Sequence, residues 1–288
     1  SFHGNFLIVG APGSTAPAQS GSACLFEKNR GGINQWGEVK RFDPPAALVN
    51  GSFGSSVGLS GNYLMIGAER SSQTLVYHRN QGGAENWGQV KTLTAAANSN
   101  FGGSLAIEKD IAVIGAKALN TTPAGASGTA IVFQHRPTVT DPHNWVSVDS
   151  LVPTASADLL KAGDQLGHAV AMSGPYILAG APKHDNGNAN TNIDNGAAWI
   201  FERDPAAAAQ WKRVRKLIGS ASAGTNYGNA VALAGEYALV GAEAETTPVR
   251  GAAYAYHRRQ GLNSWGLVEK IVPATTVVNP TFGFGSSV

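Results

Sequence analysis

At 288 residues the chain can bury a sizeable core, as one large all-β domain or as two ordinary domains. Charged residues make up only 14% and glycines number 36, which suits short strands joined by tight turns better than long solvated helices. A formal charge of +2 excludes the basic excess of a nucleic-acid or anionic-membrane partner; no apolar run nears the ~20 residues of a membrane span, and the lone Cys24 excludes an internal disulfide or a cysteine-based metal site.

The chain opens on SFHGNFLIVGAP, whose apolar run Phe6–Val9 reads as a strand closing on Gly-Ala. A loop, GSTAPAQSGS, leads to a strand ACLFEK, and a further strand starts at Trp36. At Phe53 the phrase FGSSVGLSGNYLMIGAE adds what the first unit lacks, an "FG" strand ahead of the "GA" strand. The same order returns with FGGSL at Phe101, LGHAV at Leu166, YGNAV at Tyr227 and FGSSV at Phe284. Each "GA" strand is followed by a third strand (TLVYHR, AIVFQH, AWIFER, AYAYHR) and then by a strand led by Trp87, Trp145, Trp211 or Trp265. The last phrase stops after its "FG" strand, and the first residues read as its continuation.

Four antiparallel strands per repeat, at a period of about 57 residues, are the requirement of a β-propeller blade. The expected fold is all-β, a single domain over 1–288 with five blades. Its repeats begin near 53, 101, 166, 227 and 284, the last completed by 1–52. The ring is expected to close by pairing of the terminal strands, Phe284–Val288 against Phe6–Val9, because an unsealed propeller leaves sheet edges and a blade face in water. Five repeats cut from a longer array are the alternative. The recurring "FG" and "GAP" strands, as in LGHAV…YILAGAP, resemble the FG-GAP repeat family, found in the integrin α-subunit head, in bacterial extracellular proteins and in some fungal lectins. The resemblance implies a propeller, typically of seven blades, and calcium held by a DxDxDG loop between the first two strands. Here that connection is a short turn (GLSGNYL, MSGPYIL, LAGEYAL) with too few oxygens to cage a cation.

Several residues imitate chemistry. GSSVG at Gly54–Gly58 matches a nucleophile elbow, but its serine lies inside a repeated strand rather than between strand and helix. The aligned tryptophans, the extra Trp199 and Cys24 read as packing between blades, His168 as structural, and WKRVRKL at Trp211–Leu217 as a solvated outer edge. No catalytic constellation emerges, and the chain reads as not an enzyme. In an up-and-down blade the connections after the second and fourth strands share one face, and the long segments all fall there. Two of them set the expected ligand site: Asp158, Lys161 and Asp164 in one, Asp185, Asn188, Asn190 and Asp194 in the other. Asp185, Asn188, Asn190 and Asp194 alternate in a way that could hold Ca²⁺. The expected function is an extracellular recognition module, lectin- or adhesin-like, for a glycan or protein partner. A scaffold, or the non-catalytic propeller of a larger secreted enzyme such as a polysaccharide lyase, is the alternative. The N-terminus lacks a basic region followed by an apolar one, so a secreted, periplasmic or cell-surface chain would already be processed.

Overall fold

The computed structural model describes residues 1–13, 20–48, 50–122, 125–153, 160–186, 194–207, 209–219, 224–246, 251–259, 264–273 and 283–288. Among them the fold is all-β, with five four-stranded antiparallel sheets, each in sequence order from its first strand to its fourth. Sheet 1 is β1 (Phe2–His3), β2 (Phe6–Ala11), β3 (Ser22–Lys28) and β4 (Trp36–Phe42); sheet 2 is β5 (Phe53–Ser60), β6 (Tyr63–Ala68), β7 (Gln73–His78) and β8 (Gly88–Thr94). Sheet 3 is β9 (Phe101–Glu108), β10 (Ile111–Ala116), β13 (Thr129–His135) and β14 (Trp145–Leu151), with a small hairpin of β11 (Asn120–Thr122) and β12 (Gly125–Ala126) inserted. Sheet 4 is β15 (Ala169–Ser173), β16 (Tyr176–Ala181), β17 (Ala197–Arg203) and β18 (Trp211–Leu217); sheet 5 is β19 (Tyr227–Ala234), β20 (Tyr237–Ala242), β21 (Ala252–Arg259) and β22 (Ser264–Ile271). These are the blades anticipated from the repeats.

The chain divides into two compact units, Ser1–Ala116 with Phe133–Ser147, and Lys117–Val132 with Val148–Val288. In the first, Ile8, Leu25 and Phe42 of sheet 1 pack against Leu64, Ile66 and Trp87 of sheet 2. In the second, Leu178, Ile200 and Leu217 of sheet 4 pack against Val240, Tyr254 and Trp265 of sheet 5. Alternation along each strand sends one set of side chains to each neighbouring sheet, so interior strands are apolar on both faces. Trp199 fills the core as expected, and Cys24 is half-buried.

The glycines explain the repeated phrase. The "FG" glycines, Gly54, Gly102, Gly167, Gly228 and Gly285, all have φ between 83 and 92°. That conformation is strained for any residue with a Cβ. The "GA" glycines answer a different demand: a Cβ at Gly180 would lie 2.0 Å from the carbonyl oxygen of Gly228, and one at Gly67 2.0 Å from that of Gly102. Thus the second strand of one sheet meets the first strand of the next at backbone distance. Parallel bridges beside it, Gly21 to Phe53, Gly128 to Leu166, Gly196 to Tyr227 and Gly251 to Phe284, start from the glycine just ahead of four of the third strands.

The inner strand of sheet 1 departs from expectation. β1 pairs Phe2 with Leu7 and His3 with Phe6, and the Ser1 ammonium donates to the Ile8 carbonyl at 3.0 Å. The N-terminus itself therefore takes the place opposite Phe6 and Leu7 that was expected for Phe284–Val288. Phe284 is bridged to Gly251, as Phe53 is to Gly21.

The hairpins between first and second strands turn tightly, with Ser60 opposite Tyr63, Ser173 opposite Tyr176 and Ala234 opposite Tyr237. Two residues per turn, one of them Gly61, Gly174 or Gly235 at positive φ, cannot supply the six or more oxygens of a calcium cage. The family's usual calcium loop does not fit this chain. GSSVG lies within β5, where Ser55 Oγ and Ser56 Oγ donate to the Gly102 carbonyl at 3.0 and 2.6 Å, so these serines tie sheet 2 to sheet 3.

Replacing Gly180 by Ala should cost at least the ~1–3 kcal/mol of an overpacked core, because the neighbour in the way is backbone. Gly174→Ala, with nothing within 4 Å of its Cβ, should cost only the ~1–2 kcal/mol of a left-handed alanine. Urea unfolding of the two variants checks the difference.

Candidate functional site

Four of the seven expected ligand residues lie within the described regions, and hydrogen bonds and ion pairs gather them in the second unit. The connection into sheet 4 turns at 161–164, where the Lys161 N–H donates to Asp164 Oδ2 at 2.7 Å and the Asp164 N–H to the Lys161 carbonyl at 3.2 Å. A short-chain carboxylate closing on its own backbone is the usual device of such a turn. The segment after β16 turns back at 183–186, where the His184 N–H donates to the Ala181 carbonyl and the Asn186 N–H to His184 Nδ1 at 2.9 Å. A bond from the Lys183 N–H to the Asp164 carbonyl, 3.3 Å, fixes the two turns together.

The cluster's charges alternate. Lys161 Nζ lies 3.6 Å from Asp185 Oδ2, and the Asp194 N–H donates to Asp185 Oδ1 at 3.4 Å. Lys183 Nζ donates to Asp194 Oδ2 at 3.0 Å and to Asn226 Oδ1 at 3.1 Å, and Asn226 Nδ2 donates on to Glu243 Oε1 at 3.4 Å. Beneath them His184 stacks on Trp199, centroids 5.1 Å apart, with Lys216 Nζ 3.4 Å from His184 Nε2 and over the same indole. Asp164 and Asp185 are buried, Asp164 at 2% exposure, whereas the Lys161 side chain is 44% exposed. Burial pushes the Asp164 carboxyl up to about 6; the Lys161 N–H opposes this rise and the charge of Asp185 adds to it. Such a carboxyl holds a proton below about pH 6 and is ionised above it.

Asp158, Asn188 and Asn190 lie outside the described residues. Of the expected calcium ligands, Asp185 and Asp194 each face a lysine, and no group of three or more His, Cys, Asp or Glu placed to hold a metal occurs among the described residues. Lys183, His184, Lys216 and Asn226 escaped the sequence reading. Lys216 belongs to the basic run assigned to a solvated edge; that assignment holds for the exposed Arg213 and Arg215, while alternation turns Lys216 inward.

A second polar cluster, in the first unit, also escaped notice. Tyr63 Oη lies 3.0 Å from His135 Nε2 and 2.9 Å from His143 Nδ1, with His78 stacked obliquely on His143, centroids 4.7 Å apart. The His143 N–H donates to Asp141 Oδ1, whose Oδ2 accepts from Lys91. Burial, then the neighbouring imidazoles, hold His78 and His143 below the usual imidazole range. The hydroxyl thus joins the start of β6 to the end of β13 and the turn before β14.

Two stretches, 154–201 and 211–256, match the family described as the FG-GAP repeat. The chain carries FG-GAP repeats. Comparison with curated protein sequences finds no match. Among solved structures the FG-GAP chain is similar to a periplasmic gluconolactonase from Pseudomonas aeruginosa, with 16% identity and a TM-score of 0.59 over 93% of this chain and 67% of that one. It is also similar to crystal structures named as putative 6-phosphogluconolactonases, from Bacteroides uniformis ATCC 8492 (13% identity, TM-score 0.55, 87% of this chain and 65% of that one) and from Bacteroides fragilis NCTC 9343 (15%, 0.55, 94% and 68%). The FG-GAP chain spans about two thirds of their length, and at these identities the likeness is one of fold. These neighbours are named as lactonases, none as a lectin or adhesin. That overturns the expected recognition module and the reading of the chain as not an enzyme. Loop composition also does not reveal that Asp164 is buried, with its carboxyl pushed up by that burial.

The sign of the Asp164 shift sets a pH dependence. The folded protein holds this proton more tightly than the unfolded chain, so stability should fall as pH rises from 3.8 to about 6 and level off above. Asp164→Asn, which cannot ionise, should lose that component of the slope. Thermal unfolding of both proteins across this range measures it.

Proposed function

We propose that the FG-GAP chain is a lactonase that opens the cyclic ester of a polyhydroxylated acid by adding water, acts in a periplasmic or extracellular compartment, and uses the cluster around Asp164. The observation that carries the reading is the buried Asp164 carboxyl, raised to about 6, in a turn fixed to the one that holds Asp185 and its partner, the Lys161 ammonium. The named activities of the solved neighbours support the substrate class, and the periplasmic one supports the compartment. No helix among the described residues is long and apolar enough to cross a membrane.

The chemistry needs only groups of this cluster. Ionised Asp164 takes a proton from water as the water oxygen bonds to the lactone carbonyl carbon. The carbonyl electron pair moves to oxygen, facing the Lys161 ammonium. Collapse re-forms the carbonyl and breaks the bond to the ring oxygen, which takes the proton back from Asp164; the product is a hydroxy acid. Asp194 and Asn226, held by Lys183, offer acceptors and donors to substrate hydroxyls.

Acid release from glucono-1,5-lactone and its 6-phosphate, followed against spontaneous opening, tests the proposal. The protein should accelerate opening, with kcat/KM falling below about pH 6 and dropping by the ~10²–10⁴ of a lost general base in Asp164→Asn. No acceleration with either lactone, or full activity in the variant, would refute it.

A further inference from the structure

Where one sheet meets the next, the same corner recurs three times among the described residues. The aromatic residue that opens a second strand, Phe6, Tyr63 or Tyr176, meets the tryptophan of the following sheet, Trp87, Trp145 or Trp265, edge-on with centroids 5.7, 5.4 and 5.5 Å apart. A third residue completes each corner. Arg79 lies 4.9 Å over Phe6, and Arg258 lies 5.1 Å over Tyr176 and donates from Nη1 to its hydroxyl at 2.7 Å. At Tyr63 the third residue is His135, centroids 4.9 Å apart. The backbone makes the three equivalent: the N–H groups of Arg79, His135 and Arg258 donate to the carbonyls of Asn62, Asp110 and Glu236, each the residue just before a second strand. A guanidinium keeps its charge through the whole range in which an imidazole titrates. The corner between sheets 2 and 3 is therefore the one of the three with a titratable group in the place of a permanent cation.

Its hydrogen bonds fix which ring nitrogens carry protons. His135 Nε2 lies 2.9 Å from the Pro142 carbonyl, which can only accept, so this nitrogen bears a proton, and Tyr63 Oη at 3.0 Å accepts from the same N–H. The tyrosine's own proton then goes to His143 Nδ1 at 2.9 Å. His143 is thus unprotonated at Nδ1, and so is His78, whose Nδ1 accepts from the Asn80 N–H at 3.4 Å. The two rings lie 4.7 Å apart, so charging one sets a like charge against the other. The other charged groups at this corner are Asp141, whose Oδ1 accepts from the His143 N–H, and Lys91 of β8, which donates to Asp141 Oδ2 and to Asn144 Oδ1, both at 3.1 Å. The hydrogen bond from Lys91 holds the Asp141 carboxyl below the usual carboxylate range, so it stays ionised while the imidazoles titrate.

We propose that this corner is an acid-released latch, which holds the turn 136–144 of sheet 3 against sheet 2 while His78 and His143 are neutral and frees it when they take up protons, the two arginine corners staying closed. A proton on His143 Nδ1 would set a donor against the Tyr63 hydroxyl, whose own proton then loses its acceptor. The direction follows from linkage. Burial first, and the neighbouring imidazoles second, hold His78 and His143 below the ordinary 6.5 in the closed corner, so the freed turn binds protons more tightly than the closed one. Closure is at full strength above that value and weakens as pH falls through it, by up to about tenfold per pH unit for each proton taken up. The latch lies wholly in the first unit and shares no residue with the cluster around Asp164.

Amide exchange of the full chain tests this, read as protection factors so that the intrinsic pH dependence of exchange drops out. Between about pH 7.5 and about pH 5 the Arg136, Thr138 and His143 amides, all hydrogen-bonded within the turn, should lose at least roughly tenfold in protection. The Trp87 and Gly88 amides, at the Arg79 corner of the same molecule, should keep theirs. The His143 ring protons, followed by NMR in the wild-type chain, should titrate below 6.5 and in step with that loss. His143→Asn, whose Oδ1 can still accept from Tyr63 but cannot take a proton, should keep most of the protection at the lower pH. Tyr63→Phe, which lacks the hydroxyl, should already be poorly protected in the turn at the higher pH and lose little more. Unchanged protection of the turn in wild type, an equal loss at Trp87, a His143 titration at or above 6.5, or either variant behaving like wild type would each overturn the proposal.

Discussion

The fold depends on how closely the backbones of adjacent sheets approach at their inner strands. At Gly180 a methyl group would stand 2.0 Å from the Gly228 carbonyl, and at Gly241 the same distance from that of Gly285. A real Cβ never sits so close, so the sheets stack at this spacing only where both strands carry glycine. The "FG" and "GAP" halves of the repeat are then the two sides of one contact. Apolar packing of Leu178, Val240 and their counterparts supplies most of the free energy, roughly 1.5–3 kcal/mol for each fully buried large side chain, but it tolerates many shapes. The glycine contact sets the register in which those side chains meet.

The same contact organises the polar cluster. It brings the residue that follows "GA" or "GAP" in one repeat beside the residue that precedes "FG" in the next. Glu69 accepts from Asn100 at 3.0 Å, and Lys183 donates to Asn226 at 3.1 Å. Every repeat can therefore place polar groups at this rim without disturbing the core. Sheet 4 adds two longer turns, which press Asp164 and Asp185 into buried positions under Lys161 and Lys183. A carboxylate pushed out of water in this way changes its proton affinity.

Much of this was legible in the sequence because the constraint is local. A glycine needed for positive φ or for close approach leaves the same letter in each repeat, and alternating apolar residues mark the strands around it. The two turns holding Lys161, Asp164, Asp185 and Asp194 were also legible, by length and polarity. What they do was not, because burial of Asp164 comes from contact between turns about twenty residues apart, and Lys216 and Asn226 arrive from other strands. Tyr63, His135 and His143 are farther apart still and share no pattern. Position in the repeat also failed to foretell burial at the outward faces of sheets 1 and 5: Trp36 and Trp87 occupy one place in the phrase, yet one is exposed and the other wholly buried, since burial belongs to the neighbouring sheet rather than to the residue.

Native-state hydrogen exchange tests most directly whether the glycine contact is the keystone. The Phe53, Leu166 and Tyr227 amides donate to the Ser20, Ser127 and Asn195 carbonyls at 3.0, 3.0 and 3.2 Å, beside the bridges that link neighbouring sheets. If the fold depends on this contact, these amides should exchange only through the opening that unfolds the strands around them, with the protection of the Ile66 and Leu178 amides. Exchange at the rate of an amide in an exposed hairpin turn such as that of Ile33, while those strands stay protected, would contradict the account.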